Sequence, residues 1–181
     1  MIVKQKKLLN NKGFSFIEIL TYIFITTTLL VVIGSLVFNN FNAQKQLKSS
    51  NIIQHNMRFI THFISNRIHN VESIEDVNPA PEQILFYTSS TTRFSLGVES
   101  DNLTYRETED LGGGFPEQST ANPIILNSND TRVSNLVLTP MSDNYGKINQ
   151  GVNINFDLTI GDITDTYGYV EQNLNTFISI R

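Results

Sequence analysis

The stretch that decides the fold is FSFIEILTYIFITTTLLVVIGSLVF, which runs from Phe14 to Phe38. Glu18 is the only charged side chain among its 25 residues. An α-helix needs about 20 predominantly apolar residues to cross about 30 Å of hydrocarbon. The stretch therefore predicts a membrane-spanning helix over residues 14–38.

The residues before this span orient it in the membrane. The first 13 residues contain no acid and four basic side chains, Lys4, Lys6, Lys7 and Lys12. Basic residues next to a span stay on the cytoplasmic side, so we expect a cytoplasmic N-terminus and an extracytoplasmic chain after residue 40. A secretory signal peptide fits badly, because its apolar region usually has about 7–15 residues and ends at a small-residue cleavage site.

Glu18 is the anomaly within the apolar run. An acidic side chain costs up to about 2.5–3.5 kcal/mol at the bilayer centre and less near the interface. One interpretation is an interfacial carboxylate that favours the positive end of the helix dipole. The other is a carboxylate that pairs with a specific cation.

The local sequence Lys12-Gly13-Phe14-Ser15-Phe16-Ile17-Glu18 resembles the cleavage and N-methylation motif of type IV prepilins and pseudopilins. The resemblance implies that a prepilin peptidase removes residues 1–13 as a leader, cutting after Gly13. It also implies that Phe14 becomes a methylated N-terminus, and that Glu18 pairs with the N-terminal amine of a neighbouring subunit.

The middle of the span departs from the pattern of many major pilins. Helix-breaking glycine and proline are common there in major pilins, whereas here Gly34 is the only such residue and Thr26-Thr27-Thr28 occupies the centre. This departure favours a minor pilin or a pseudopilin.

A helical pattern continues beyond the membrane, over residues 39–78. Six apolar residues recur three or four positions apart, which places them on one face of an α-helix. They are Ile53, Met57, Ile60, Ile64, Ile68 and Val71. We expect one helix from about Phe14 to about Val71, whose second half packs this stripe against a head domain.

Three histidines of this segment recur every seven residues. His55, His62 and His69 lie about 10.5 Å apart along a helix, too far for two imidazoles to share one metal ion. They also fall opposite the apolar stripe. We therefore interpret them as a solvated face rather than a metal site or a pH sensor.

Residues 79–181 read as a β-rich extracytoplasmic head. Strands are predicted at 83–88, 92–98, 102–106, 123–127, 132–139, 151–160 and 173–181. The segment 151–160 alternates apolar and polar residues, as an antiparallel strand with one wet face does. The sequence therefore predicts an α+β class, with an antiparallel sheet laid on the amphipathic half of the helix, the arrangement of the pilin fold.

Two segments of the head resemble a particular branch of the family. FSLGVESDNLTYRET, which starts at Phe94, looks like the paired short strands of PilW-type minor pilins and of the minor pseudopilin J of type II secretion. The terminal NTFISIR looks like their last strand.

Composition excludes several function classes for the head. From residue 72 onward there are five basic residues against sixteen acidic ones, so direct binding to nucleic acid is not expected. The chain has no cysteine, which excludes disulfides and thiolate metal sites.

Other candidate sites have simpler explanations. Gly112-Gly113-Gly114 lacks the Lys-Ser/Thr of a P-loop and is interpreted as a flexible, solvated loop. Calcium is possible through loop oxygens, but none of the candidate segments has EF-hand spacing. These segments are Asn127-Ser128-Asn129-Asp130, Asp143-Asn144 and Asp162-Ile163-Thr164-Asp165. No nucleophile stands beside a recognisable base, so no cofactor and no enzymatic activity are expected.

The sequence thus favours a structural subunit of a type IV pilus, a competence pilus or a type II secretion pseudopilus. Its expected partners are the prepilin peptidase, other pilin or pseudopilin subunits and the cytoplasmic (inner) membrane. Two alternatives stay open. One is a tip adhesin or a ligand- or DNA-binding minor pilin, and the other is a sensor or enzyme with a pilin-like membrane anchor.

Overall fold

A computed structural model describes residues 15–76, 84–141 and 151–180 of the chain. The leader lysines, Gly13 and Phe14 lie outside the described residues, as does the calcium candidate Asp143-Asn144. The described chain forms two units, with the boundary between Asn42 and Ala43.

The long helix α1 spans Phe16–Ile68. Within the described residues it is the one helix that is long and apolar enough to cross a membrane. It ends earlier than predicted, because the Val71 N–H bonds to the Ile68 carbonyl at 3.0 Å in a tight turn. The Glu72 N–H then pairs with the Tyr87 carbonyl at 2.7 Å, so a strand begins where the sequence predicted helix up to residue 78.

Five strands form the first sheet. They run antiparallel in the order β1-β2-β3-β4-β5. Their bounds are Ser73–Asp76 for β1, Ile84–Ser89 for β2, Thr92–Glu99 for β3, Asn102–Glu109 for β4 and Ile124–Ile125 for β5. A short 3-10 helix, Gln118–Thr120, lies between β4 and β5.

Three further strands form a second antiparallel sheet, in the order β6-β7-β8. Their bounds are Thr131–Met141 for β6, Gly151–Ile160 for β7 and Val170–Ser179 for β8. The prediction of a single sheet was therefore wrong. β6 does not pair with β5, and its register with β7 is broken by a bulge between Ser134 and Val137, where Asn135 adopts a φ of 54°.

The helix and the two sheets of the second unit share one apolar core. It contains all six residues of the predicted helix stripe, with Val71 included although it lies beyond the helix. Alternate residues of β7 point into the same core, among them Val152, Ile154, Phe156 and Leu158. Phe86 of β2 stacks on Phe94 of β3 with the ring centroids 4.7 Å apart. A long N-terminal helix with antiparallel sheets confirms the predicted α+β class.

Candidate functional site

The first candidate site is the N-terminal part of α1, which we call the bare segment, residues 15–41. Every residue of it is exposed in the structure, including large apolar side chains along its whole length. Monomeric soluble proteins rarely expose a contiguous apolar surface of this kind, and such surfaces mark contact with lipid or protein. The bare segment is therefore a candidate surface for contact with lipid or with another protein.

Four hydroxyl side chains of the bare segment form hydrogen bonds within the helix. They donate to carbonyl oxygens three or four residues earlier in α1, at 2.8–3.0 Å. The pairs are Thr21 with Ile17, Thr27 with Ile23 and Phe24, Thr28 with Phe24, and Ser35 with Val32. An unpaired hydroxyl costs free energy when it leaves water, and these internal bonds remove much of that cost.

Glu18 lies in the first turn of α1. Its backbone N–H donates to the Ser15 carbonyl at 2.9 Å, and its side chain is exposed. The unpaired N–H groups of a helix N-terminus favour a negative charge at this position. Because Gly13 and Phe14 lie outside the described residues, the proposed pairing with an N-terminal amine stays a prediction.

The histidine row is more varied than the sequence indicated. His55 and His62 are exposed, as expected of a solvated face. His69 is half-buried, and its Nδ1 lies 2.9 Å from the carbonyl oxygen of Ser179, to which it donates. His69 therefore ties the end of α1 to the end of β8, a contact between residues 110 positions apart that no local pattern could predict.

A groove of about 900 Å³ lies along α1 within the second unit. Leu47, Ile52 and Phe59 supply apolar lining from the helix, and the segment 126–130 supplies the opposite wall. Asn56 joins the two walls: its Oδ1 accepts from the Ser128 N–H at 2.9 Å, and its Nδ2 donates to the Ser128 hydroxyl at 3.1 Å. The sequence pattern did not indicate this groove, because its walls lie about 70 residues apart in the chain.

Asn127, a candidate calcium ligand, is committed to the fold. It is buried, its Oδ1 accepts from the Leu103 N–H at 2.8 Å, and its Nδ2 donates to the Thr131 carbonyl at 2.8 Å. These bonds tie the first sheet to the start of the second. Within the described ranges, no group of three or more His, Asp or Glu side chains is placed to hold a metal ion.

The candidate segment Asp162–Asp165 also uses its carboxylates for local structure. Asp162 Oδ1 accepts from the Thr164 N–H at 2.9 Å and from the Thr164 hydroxyl at 2.8 Å, and these bonds lower the pKa of Asp162. Asp165 pairs with Lys45, whose hydrogen bond is the main cause of a lowered pKa for Asp165. Turn formation, which the sequence favoured for these residues, accounts for the Asp162 bonds, whereas the Lys45 pair joins the turn to α1.

The glycine-rich loop after β4 is exposed. The carboxylate of Asp110 accepts hydrogen bonds from its backbone N–H groups, which a phosphate would otherwise need. Asp110 Oδ1 accepts from the Gly112 and Gly114 N–H groups at 2.8 and 2.9 Å. The Arg93 guanidinium lies over the Phe115 ring, 4.7 Å from its centroid. The Gly112 and Gly114 N–H groups are therefore already bonded to a carboxylate and not available to an anion.

Other pKa shifts also mark structural contacts. Burial, followed by a hydrogen bond to Glu107, raises the pKa of Tyr105. Burial and the Glu75 carboxylate raise the pKa of Tyr87, while hydrogen bonds from Asn135 and Asn173 lower the pKa of Asp157. None of these three residues lines the groove along α1.

Comparison of the chain with protein-family models, with curated proteins and with solved structures found no match in any of the three.

Proposed function

We propose that this chain is a minor pilin or pseudopilin, a structural subunit that is processed by a prepilin peptidase and assembled through its N-terminal helix. The bare segment carries the proposal. It is predominantly apolar and exposed along its whole length, and four of its hydroxyl side chains are bonded within the helix. Such a helix suits a bilayer first and a protein filament core afterwards, since both surroundings are apolar.

Glu18 gives assembly its charge pairing. Removal of residues 1–13 creates an α-amino cation on Phe14, four residues before Glu18. In an apolar filament core, the carboxylate of one subunit neutralises the amine of its neighbour, and neither charge is left unpaired. Leader removal then acts as a switch, because the uncleaved precursor lacks this amine.

The topology follows from the leader lysines. They stay in the cytoplasm, α1 crosses the cytoplasmic membrane once, and the head lies outside. The subunit leaves the membrane when it enters a type IV pilus, a competence pilus or a type II secretion pseudopilus. Its resemblance to PilW-type subunits and to pseudopilin J favours a minor position in such a filament.

A second candidate function is a subunit whose head binds a ligand. The groove along α1 favours it, because the exposed Phe59 and Leu47 give the groove an apolar wall that a ligand could cover. The acidic balance of the head disfavours nucleic acid as that ligand.

Mass spectrometry of the N-terminus of the membrane-extracted protein tests the first proposal. We expect a mature chain that begins at methylated Phe14. A Gly13→Val variant should keep its leader, because a branched side chain obstructs the extended backbone at the cleavage site. Gly34→Val is the matched control, since a side chain at Gly34 meets no atom within 4 Å. An intact leader on the wild-type chain, in cells that process other prepilins, would contradict the proposal.

A further inference from the structure

The loop between β7 and β8, residues 161–169, folds into a compact double turn. The Asp165 N–H donates to the Asp162 carbonyl at 2.8 Å, and the Tyr169 N–H donates to the Asp165 carbonyl at 2.9 Å. Asp165 Oδ1 also accepts from the Gly168 N–H at 3.0 Å. The loop therefore holds its shape through its own backbone and carboxylates.

The loop is clamped to the first residues of the second unit. Asp165 Oδ2 accepts from the Lys45 ammonium group. The packing is tight: a Cβ on Gly168 would lie 2.3 Å from Asp165 Oδ2 and 2.8 Å from Lys45 Cε. A Cβ on Gly161, which adopts a φ of +82°, would lie 2.6 Å from the Gly168 carbonyl oxygen. The loop is thus a compact turn that contacts Lys45.

Two large apolar side chains stand out from this loop. Ile163 is 79% exposed and Tyr167 is 45% exposed. The turn bonds are made by the backbone, by Asp162 and by Asp165, so the turn itself requires neither apolar side chain. A hydrogen-bonded turn that exposes an isoleucine and a tyrosine is suited to an apolar partner.

The clamp places the loop close to the point where the chain leaves the proposed span. Lys45 follows Phe38, the last residue of the predicted span, by seven residues. Seven residues reach about 10.5 Å along a helix. The headgroup layer beyond the hydrocarbon is about 5–8 Å thick on each side of a bilayer. Chain connectivity therefore keeps Lys45 within a few ångströms of the outer edge of the lipid headgroups.

We propose that Ile163 and Tyr167 insert into the headgroup interface of the bilayer that α1 spans, and hold the head against the membrane before assembly. The inference rests on the proposed function, since it requires α1 to cross that bilayer. Tyrosine is favoured at this depth because its ring is apolar and its hydroxyl stays wet.

The charges around the loop favour a zwitterionic lipid surface. Asp165 pairs with Lys45, and Asp162 lies within electrostatic reach of Arg132. In each pair the negative charge is offset by a positive one. The proposed contact of the loop with lipid therefore depends on insertion of apolar side chains rather than on attraction to anionic headgroups.

Single tryptophans test the contact, because the chain contains no native tryptophan. The full chain carrying Ile163→Trp is reconstituted into phosphatidylcholine vesicles with and without brominated acyl chains. We expect a blue-shifted emission and clear quenching by brominated lipid. Tyr167→Trp should give the same result. It serves as a second reporter in case the Ile163→Trp substitution itself disturbs the loop.

Two further variants separate this inference from the proposed function. Leu111→Trp is the matched exposed control, because Leu111 is 91% exposed and follows β4 at the end where Glu109 pairs with Thr92, whereas the opposite end of that strand pair, at Asp101, bonds to Val133 of β6. Phe24→Trp reports on the span. We expect the strongest quenching for Phe24→Trp, severalfold weaker quenching for Ile163→Trp, and none for Leu111→Trp.

Three results would overturn the inference. Quenching of Ile163→Trp no greater than that of Leu111→Trp, with Phe24→Trp quenched, would remove the lipid contact and leave the membrane anchor in place. An unquenched Phe24→Trp would remove the anchor as well. A blue shift of Ile163→Trp that grows with protein density and is insensitive to brominated lipid would assign the patch to contact between subunits.

Discussion

The two parts of α1 treat apolar side chains in opposite ways. From residue 15 to 41 every side chain is exposed, whereas from Ile53 to Ile68 one apolar residue in each turn is buried against the sheets. The first part is apolar all round, and the second has a single stripe. An all-round apolar helix needs an external cover, while a striped helix can be covered by its own head.

Polar residues follow the same division. In the bare segment, four hydroxyl side chains bond to the helix's own carbonyls. In the second part, the Thr61 hydroxyl does the same, but Asn56 also bonds to Ser128 of the head. His69, just beyond the helix, bonds to Ser179. The side-chain bonds to the head therefore come from the second part and its end, while these four hydroxyl bonds stay within α1.

Glu18 gives the largest expected effect, because it is the one acid in the otherwise uncharged bare segment. Glu18→Ala should be cleaved normally but incorporate poorly into filaments, since an unpaired amine in an apolar core costs about 3–5 kcal/mol. Thr21→Val is the matched control, because it removes a hydroxyl bonded only within α1 and leaves the charges unchanged. The measurement is the ratio of subunit in sheared filaments to subunit in membranes. Wild-type incorporation of Glu18→Ala would remove the charge from the assembly mechanism.

The same substitution in the two parts of α1 tests the comparison directly. Ile60 is fully buried and Ile23 is 56% exposed. Ile60→Ala should lower the free energy of unfolding of the head by about 2–5 kcal/mol, because it leaves a cavity in the core. Ile23→Ala should leave that free energy unchanged. Chemical unfolding of the full chain in detergent, followed by near-ultraviolet tyrosine circular dichroism, measures both. Equal effects would break the distinction between the two parts.

The locations of the strands could be predicted from the sequence to a large extent. Each of the seven predicted strands overlaps one of β2 to β8, because alternation and turn residues are local signals. β1 was missed, since Ser-Ile-Glu-Asp is too short and polar to show alternation. It forms because β2 supplies a partner, with Ile74 opposite Phe86. Division into two sheets was also missed, because pairing between distant strands leaves no trace in local pattern.

The candidate sites divide in the same way. The helix stripe was identifiable because its signal is a period of three to four residues, while Glu18 stays a prediction that rests on an isolated charge. The clamp of Lys45 on Asp165 and the bonds of Asn127 were not. Lys45 and Asp165 lie 120 positions apart, and Asn127 in the sequence looks like any other turn residue.

The smallest expected effect concerns Lys45, which lies between the two parts of α1 and pairs with Asp165. The hydrogen bond from Lys45 lowers the pKa of Asp165 below its ordinary value of 3.8. The folded state therefore favours the ionised carboxylate, and the resulting stability is present above pH 3.8 and is lost as the pH falls through the lowered pKa. Asp165→Asn should lower the melting temperature slightly at pH 7, and the difference from the wild type should vanish in acid.

Lys45→Met supplies the matched partner for this measurement. If the ion pair is the source of the effect, Lys45→Met and Asp165→Asn should each lower the melting temperature at pH 7, and the double variant should add little to either. Additive effects, or a difference that persists unchanged in acid, would show that the two side chains act separately. The contact between Lys45 and Asp165 would then no longer count as a stabilising link between α1 and the head.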